Sequence, residues 1–303
     1  MKNENISNYL EKEVEFKELF NIVWKDRWFV IIFTTVISIS AVIYSLSLPN
    51  IYRSNALLTP VIEQSSQVSS SMGGISGLAN LAGININQSS GGNSVEALDK
   101  LKSLSFFINN ILPNIYLPNL MAVDSWEAST GEITYDPRYF NKKTNTWTSL
   151  PSPQESFLAF NRHLIVSQNQ QTGFVTISVK HQSPVIAHAW TELIVNEINA
   201  NYRTKDKAEA IAAIDYLNLQ MSQTSFSQIK QVIAQLIQQK VQKLTLIEVR
   251  EFYVYDYIDP PAIMETKAGP KRAVICIVFA LFGVLLSVFI VLIKHYLFRE
   301  RTY

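Results

Sequence analysis

Two long apolar runs, near the two ends of the chain, dominate its hydrophobic pattern. Residues 28–48 and residues 273–293 contain no charged side chain. A helix of about 20 apolar residues rises about 30 Å, which matches the hydrocarbon thickness of a bilayer. The pattern therefore predicts a tail over residues 1–27, a transmembrane helix over 28–48 and a large polar domain over 49–272. A second transmembrane helix over 273–293 and a stub over 294–303 follow.

The large domain begins and ends with predicted strands that flank a long helical region. Residues 51–60 are typical of a strand, and Val175, Ile177 and Val179 alternate with polar residues in a second strand over 173–182. Ser183 and Pro184 then supply a helix N-cap and a proline at the first helical position. No further proline or glycine appears before about residue 249. A last strand is predicted over 246–258.

Three apolar stripes at helical spacing fill the region between these strands, over about residues 184–245. They consist of Ala187, Trp190, Ile194 and Ile198, then Ile211, Ile214, Leu217 and Met221, then Ile229, Ile233, Leu236 and Ile237. The polar run that starts at Met221 is the best candidate for a break. If the flanking strands share one sheet, the helices must go out and come back, the first over about 57 Å. The predicted fold is an α+β domain, an α/β base with a long projecting helical hairpin, between two transmembrane helices.

Shorter stretches carry weaker patterns. A helix is predicted over 95–112, short strands in irregular structure over 113–153, and a short helix over 157–164 that leads into a strand. Residues 11–27 are typical of an amphipathic helix that enters the membrane. A Gly/Ser/Asn-rich insertion over about 64–94 predicts a flexible loop, although Ile75, Leu78 and Leu81 recur every three residues and could form one or two helical turns.

The segment before the second apolar run, residues 259–272, contains Pro260, Pro261 and Pro270. Proline stiffens the backbone, so this segment is interpreted as a semi-rigid connector that couples the outer domain to the membrane helix; an ordinary linker is the alternative. Gly283 within the second run permits close approach of another helix, although a lipid-facing position explains it equally well.

Basic residues around the first run predict the orientation. Lys12, Lys17, Lys25 and Arg27 precede it, whereas only Arg53 closely follows it. Cytoplasmic flanks carry the excess of positive charge, so the N-terminus is predicted to be cytoplasmic. The second run is less decisive because basic residues flank both of its ends. A two-span hairpin returns to its starting side, which puts both termini in the cytoplasm and the large domain outside.

Catalytic and cofactor-binding patterns are missing from the sequence. The net charge of +1 argues against nucleic-acid binding. No glycine loop carries the Lys-Ser/Thr of a phosphate site, no Gly-x-Ser-x-Gly elbow exists, and the single cysteine, Cys276, lies in the second apolar run. The histidines show no metal-ligand spacing; they are His163, His181, His188 and His295. We therefore predict a protein that is not an enzyme and that holds neither a cofactor nor a metal.

Several motifs in this order resemble the chain-length determinant (Wzz-type polysaccharide co-polymerase) family. Residues 49–52 are similar to its P-x-x-Y motif, and residues 96–103, EALDKLKS, to a helix that ends L-K-S-R, with Leu104 in place of the arginine. GFVTISVKHQSPVIAHAW is similar to its strand-to-helix signature, with Ser183, Pro184 and Ala187 at the matching positions. The connector matches its proline pattern at Ala262, Pro270 and Lys271, while Met264 and Lys267 replace two prolines.

The resemblance implies a non-enzymatic regulator of the modal length of a surface polysaccharide, of the lipopolysaccharide O-antigen type, in a Gram-negative inner membrane. It implies a ring of identical subunits that works with a Wzy-type membrane polymerase and its growing polysaccharide. About ten residues follow Ile293, too few for the kinase domain that some relatives carry. One alternative is an export component for capsule or exopolysaccharide that works with a separate kinase and an outer-membrane channel. An alternative of another class is a two-span periplasmic sensor.

Overall fold

A computed structural model describes residues 23–61 and 92–299, which form two compact units. One unit contains the chain up to Asn50 and from Lys267 onward, and the other contains Ile51–Thr266. Most of the predicted amphipathic tail, and the insertion over 64–94 up to residue 91, lie outside the described residues.

The elements follow in chain order. They are α1 (Arg27–Ser47), β1 (Tyr52–Pro60), α2 (Gly92–Leu101), α3 (Leu104–Phe106), a π turn (Phe107–Ile111), a 3-10 turn (Leu112–Asn114), α4 (Leu117–Met121), β2 (Val123–Trp126), β3 (Ile133–Tyr135), β4 (Phe140–Asn141), β5 (Thr146–Trp147), α5 (Pro153–His163), β6 (Leu164–Gln168), β7 (Val175–His181), α6 (Pro184–Gln223), α7 (Ser227–Val249), β8 (Tyr255–Asp259) and α8 (Arg272–Arg299).

The two predicted transmembrane helices are present as α1 and α8. Their apolar segments, Arg27–Ser47 and Arg272–His295, have mean hydropathies of 2.3 and 3.2, and most of their side chains are not covered by protein. Apolar side chains exposed over such a length are stable in a bilayer and costly in water. By length and composition, both helices can span a membrane.

The second unit is built on a four-stranded sheet in the order β6–β7–β1–β8, in which all neighbours are antiparallel. Ser54 lies opposite Val179 and Ala56 opposite Ile177, so the buried positions of β1 and β7 share one face. The strands before and after the helical region belong to the same sheet, with β1 between them. The prediction that the helices go out and come back is therefore confirmed.

The core lies between this sheet face and the first part of α6. The predicted stripe of Ala187, Trp190, Ile194 and Ile198 is buried along its whole length. Trp190, Ile194 and Ile198 belong to one cluster with Leu58, Val175 and other sheet side chains. Periods of 3.6 on the helix and 2 on the strands bring these side chains to one interface.

The helical hairpin has the predicted extent. Helix α6 contains 40 residues, which gives a length of about 60 Å. Thr224, Ser225 and Phe226 separate it from α7, a helix of 23 residues. The break falls inside the polar run that begins at Met221, as predicted.

Two sequence-based boundaries are wrong. The last strand begins at Tyr255 rather than at 246, because α7 continues to Val249: Ile247 is buried in the core, and Glu248 pairs with Lys207 of α6 at 2.5 Å. The helix predicted over 95–112 is interrupted at Ser103. The hydroxyl oxygen of Ser103 accepts a hydrogen bond from the backbone N–H of Phe106 at 3.2 Å and thus starts a new helix.

Candidate functional site at the root of the long helix and along the connector

The residues of the predicted helix-start motif lie together at the beginning of α6, but the serine does not cap in the usual way. The Ser183 side chain makes no capping hydrogen bond. Its backbone N–H donates instead to Nδ1 of His181 at 2.9 Å, and its carbonyl accepts from the N–H of Ala187 at 3.1 Å. Pro184 occupies the first turn, where a missing N–H costs nothing. The motif therefore sets the geometry of the strand-to-helix turn.

His181 is held in its neutral form by this turn. Because Nδ1 accepts from Ser183, Nε2 carries the proton and donates to the carbonyl of Asn119 at 2.9 Å. Burial lowers the pKa of His181 to about 4, and burial also lowers the pKa of the adjacent His163. The ring of Trp190 lies 5.3 Å from that of His181 and 6.1 Å from that of His163. The uncharged His181 is thus buried beside Trp190, and His163 lies half-buried next to it.

Directly after the last residue of the apolar stripe, Asn199 holds the returning chain against the long helix. Its Oδ1 accepts three backbone N–H groups, from Tyr253 at 3.1 Å, Val254 at 2.7 Å and Tyr255 at 3.0 Å. Its Nδ2 donates to the carbonyls of Val195 and Tyr255, each at 3.0 Å. Every hydrogen-bonding position of this buried amide is used, so Asn199 fixes the position of the segment that enters β8.

Arg203 and Asp206 continue this polar row at helical spacing. Arg203 donates to the carbonyls of Arg250, at 2.6 Å, and of Glu251. The buried Asp206 accepts from the hydroxyl of Tyr253 at 2.5 Å and pairs with Lys243 of α7 at 2.9 Å. We call Asn199, Arg203 and Asp206 the polar clamp. Sequence reasoning missed it; a polar residue directly after the buried Ile198 was the only available signal.

The connector prolines are divided between the two units. Pro260 and Pro261 belong to the unit that contains the sheet, whereas Pro270 belongs to the membrane unit and follows a cis peptide bond. Directly after Pro261 in the sequence, the carbonyl of Ala262 accepts a hydrogen bond from the Ser54 hydroxyl of β1 at 2.9 Å. The connector is therefore tied to strand β1 of the sheet at its beginning. Its role in coupling stays a prediction.

Gly283 lies where the two membrane helices approach. A Cβ atom placed on it would stand 3.3 Å from both Cβ and Cγ2 of Ile37. Ser287 and Val291, one and two turns further on, are also buried on this helix. The position therefore favours close helix approach over a lipid-facing position.

Both ends of the membrane pair carry a polar contact between the helices. Near one end, Arg272 donates to the carbonyl of Leu48 and to Oδ1 of Asn50, each at 3.2 Å. Near the other end, Lys294 lies 3.8 Å from Asp26. The two helices are therefore antiparallel.

The described residues form no metal centre. Across residues 23–61 and 92–299, no group of three or more His, Cys, Asp or Glu side chains is placed to hold a metal ion. Cys276 carries a free thiol within α8. What the described chain presents is a folded base, a clamped helical hairpin and a packed pair of membrane helices.

Comparison with known proteins finds a family model that matches part of the chain. The family model "Chain length determinant protein" (Wzz) matches residues 12–112, which include α1, β1 and α2. Over these residues the chain is similar to the chain length determinant family. The match covers the first third of the chain, and no curated protein matches.

Two solved structures are similar to this chain. A "full-length bacterial polysaccharide co-polymerase" is 14% identical with a TM-score of 0.40, over 94% of this chain and 97% of that one. A "Fragment of WzzB, Polysaccharide Co-polymerase from Salmonella Typhimurium" is 13% identical with a TM-score of 0.30, over 73% of this chain and 100% of that one. Likeness at this level says nothing about partners or substrates.

Proposed function

We propose that this protein regulates the modal chain length of a surface polysaccharide, of the lipopolysaccharide O-antigen type, without being an enzyme. It acts as an oligomeric inner-membrane scaffold for a Wzy-type polymerase and the growing polysaccharide. The single observation that carries this proposal is the family match over residues 12–112, which includes the first membrane helix and the first strand of the sheet.

The membrane pair supports a topology with both termini in the cytoplasm and the large domain in the periplasm. An antiparallel pair brings the beginning of α1 and the end of α8 to the same side, and Lys25 and Arg27 lie there. Positive charge favours the cytoplasmic side. Alkaline phosphatase fused at Ser149 should be active and a fusion after Tyr303 inactive; the reverse pattern overturns the topology.

The outer part of the helical hairpin supports self-association. Large apolar side chains stay exposed along it, among them Tyr216, Phe226 and Ile229. Exposed large apolar side chains are a common feature of protein interfaces. We infer a ring of identical subunits. Gently solubilised protein should exceed the mass of a dimer by light scattering, and a monodisperse monomer in several detergents at micromolar concentration contradicts the ring.

The deciding experiment is silver-stained lipopolysaccharide from a deletion strain and from its complemented derivative. Loss of a modal band in the deletion strain and its return on complementation support O-antigen regulation. Unchanged lipopolysaccharide with altered capsule length indicates the capsule or exopolysaccharide branch. Unchanged polysaccharides of both kinds contradict the proposal and leave the two-span sensor as the alternative.

A further inference from the structure

A shallow groove runs along the first membrane helix. Its volume is about 530 Å³, and eight of its nine lining residues lie on α1 between Val30 and Ile43, the ninth being Val284 of α8. Thr34, Thr35 and Ser38 are the polar residues of its lining. The Thr35 hydroxyl donates to the carbonyl of Ile31 at 2.8 Å, so this polar atom is satisfied within the helix.

The groove has the dimensions of a lipid chain. From Val30 to Ile43 the helix rises about 20 Å, more than the roughly 15 Å of one hydrocarbon leaflet. Because the groove opens on the outside of the helix pair, an acyl chain can enter it from the bilayer without separating the helices.

A cation stands at one end of this groove. Arg27 lies one turn before Ile31 and so projects from the same helix face. Its guanidinium lies 5.4 Å from the centre of the Trp24 ring, and Trp28 beside it is exposed. Indole rings favour the headgroup level of a bilayer, which places Arg27 at the depth of lipid phosphates.

The charge of Arg27 is not neutralised by the neighbouring carboxylate. Asp26 lies 3.8 Å from Lys294, and Arg27 makes no ion pair with any residue in the described part of the chain. By contrast, Arg272 near the opposite end of the pair donates to Leu48 and Asn50. The end that carries Arg27 therefore has positive charge to offer to a ligand.

We propose that this groove binds one anionic phospholipid, with an acyl chain along Thr34 and Ser38 and the headgroup phosphate on Arg27. The guanidinium supplies directed donors to phosphate oxygens, which a lysine in the same place does less well. The lipid then belongs to the surface of the membrane pair as a fixed component rather than as exchanging solvent.

The test uses the full-length protein in nanodiscs of equal phosphatidylglycerol and phosphatidylcholine, released into the gas phase for native mass spectrometry. The wild type should retain one phosphatidylglycerol per protomer in clear excess over phosphatidylcholine. Arg27→Gln should lower this preference about fivefold, the effect of one phosphate contact worth about 1 kcal/mol. Ser38→Leu fills the groove and should remove the retained lipid.

Lys271→Gln is the matched control, since it removes an exposed cation near the opposite end of the same helix pair and should behave as the wild type. Equal retention of the two lipids by the wild type overturns the proposal, as does an unchanged preference in Arg27→Gln. Lipid retained by Ser38→Leu at the wild-type level also overturns it. Circular dichroism of each variant checks that helix content is preserved.

Discussion

The two halves of the helical hairpin contrast sharply in what surrounds them. The root, residues 184–210, buries its apolar stripe on the sheet and is held by the polar clamp. The tip, which we define as residues 211–246 around the turn of the hairpin, leaves apolar side chains in the open, with Tyr216 62% and Phe226 68% exposed. Both halves show amphipathic spacing in the sequence. Amphipathic spacing thus reveals that a face needs a partner, and only the fold reveals whether the chain itself supplies one.

The largest expected difference between root and tip comes from removing one isoleucine side chain from each half. Ile194→Ala at the root removes a fully buried side chain and should destabilise the protein by about 2–5 kcal/mol. Ile229→Ala at the tip, which is about half exposed, should cost less than about 1 kcal/mol in folding but lower the oligomer mass. Denaturant unfolding in detergent and light scattering measure the two effects. Equal destabilisation by both variants contradicts the division into root and tip.

The polar clamp should give a second difference in stability between root and tip. Asn199→Ala leaves three buried N–H groups without their acceptor and should destabilise the base by about 3 kcal/mol. Asn218→Ala removes an exposed amide at the tip and serves as the control, with a change within about 0.5 kcal/mol. Thermal unfolding followed by circular dichroism compares the two. A small effect at Asn199 would mean that the segment before β8 is held by packing alone.

Acid should weaken the root more than the tip. The folded-state pKa of His181 is about 4, below its ordinary value of 6.5. The neutral imidazole therefore contributes fully to the free energy of unfolding above pH 6.5. This contribution is lost as the pH falls toward 4, by about 3 kcal/mol in all. In the wild type, the midpoint of unfolding should fall steeply as the pH is lowered from 7.5 to 4.5. In His181→Gln, which cannot take up a proton, the fall should be shallower, and an equal slope rules out His181 as the cause.

The connector is expected to give the smallest change in stability. Replacing Pro260, Pro261 and Pro270 with alanine should cost roughly 0.4–1 kcal/mol per site, because each change acts mainly on backbone freedom. Expression and oligomer mass should persist, while the polysaccharide becomes shorter or less tightly distributed. Wild-type banding on a silver-stained gel would show that the connector is only a linker.

Much of the base could be predicted from local patterns, since β1, β7 and the long helix each carry their own periodicity and the Ser183–Pro184 start. The order of the sheet, with β1 between β7 and β8, required the structure. So did the start of β8, because the apolar spacing of Leu246 and Ile247 suits a strand and a helix alike. In the structure, the contact of α7 with α6 decides in favour of the helix.

The candidate site was less predictable, for a physical reason. Asn199 meets N–H groups that come from more than 50 positions further along the chain, and no short-range pattern encodes that meeting. The helix-start residues were found because their role is local. Gly283 was recognised as permitting close approach, but its partner, Ile37, lies in the other membrane helix and is visible only in the folded pair.

The three N–H groups that converge on Asn199 also set a scale along the hairpin. Sliding the helix by a single residue would move the amide oxygen by about 1.5 Å and turn it by about 100°, away from all three donors at once. The distance of the turn from the sheet is therefore set by the number of residues that follow Asn199. Seven residues inserted beyond this point in α6, with seven matching residues in α7, would raise the turn by about 10 Å while keeping each face nearly in phase. The length of the hairpin can thus be changed without disturbing the hydrogen bonds of Asn199 that fix its root.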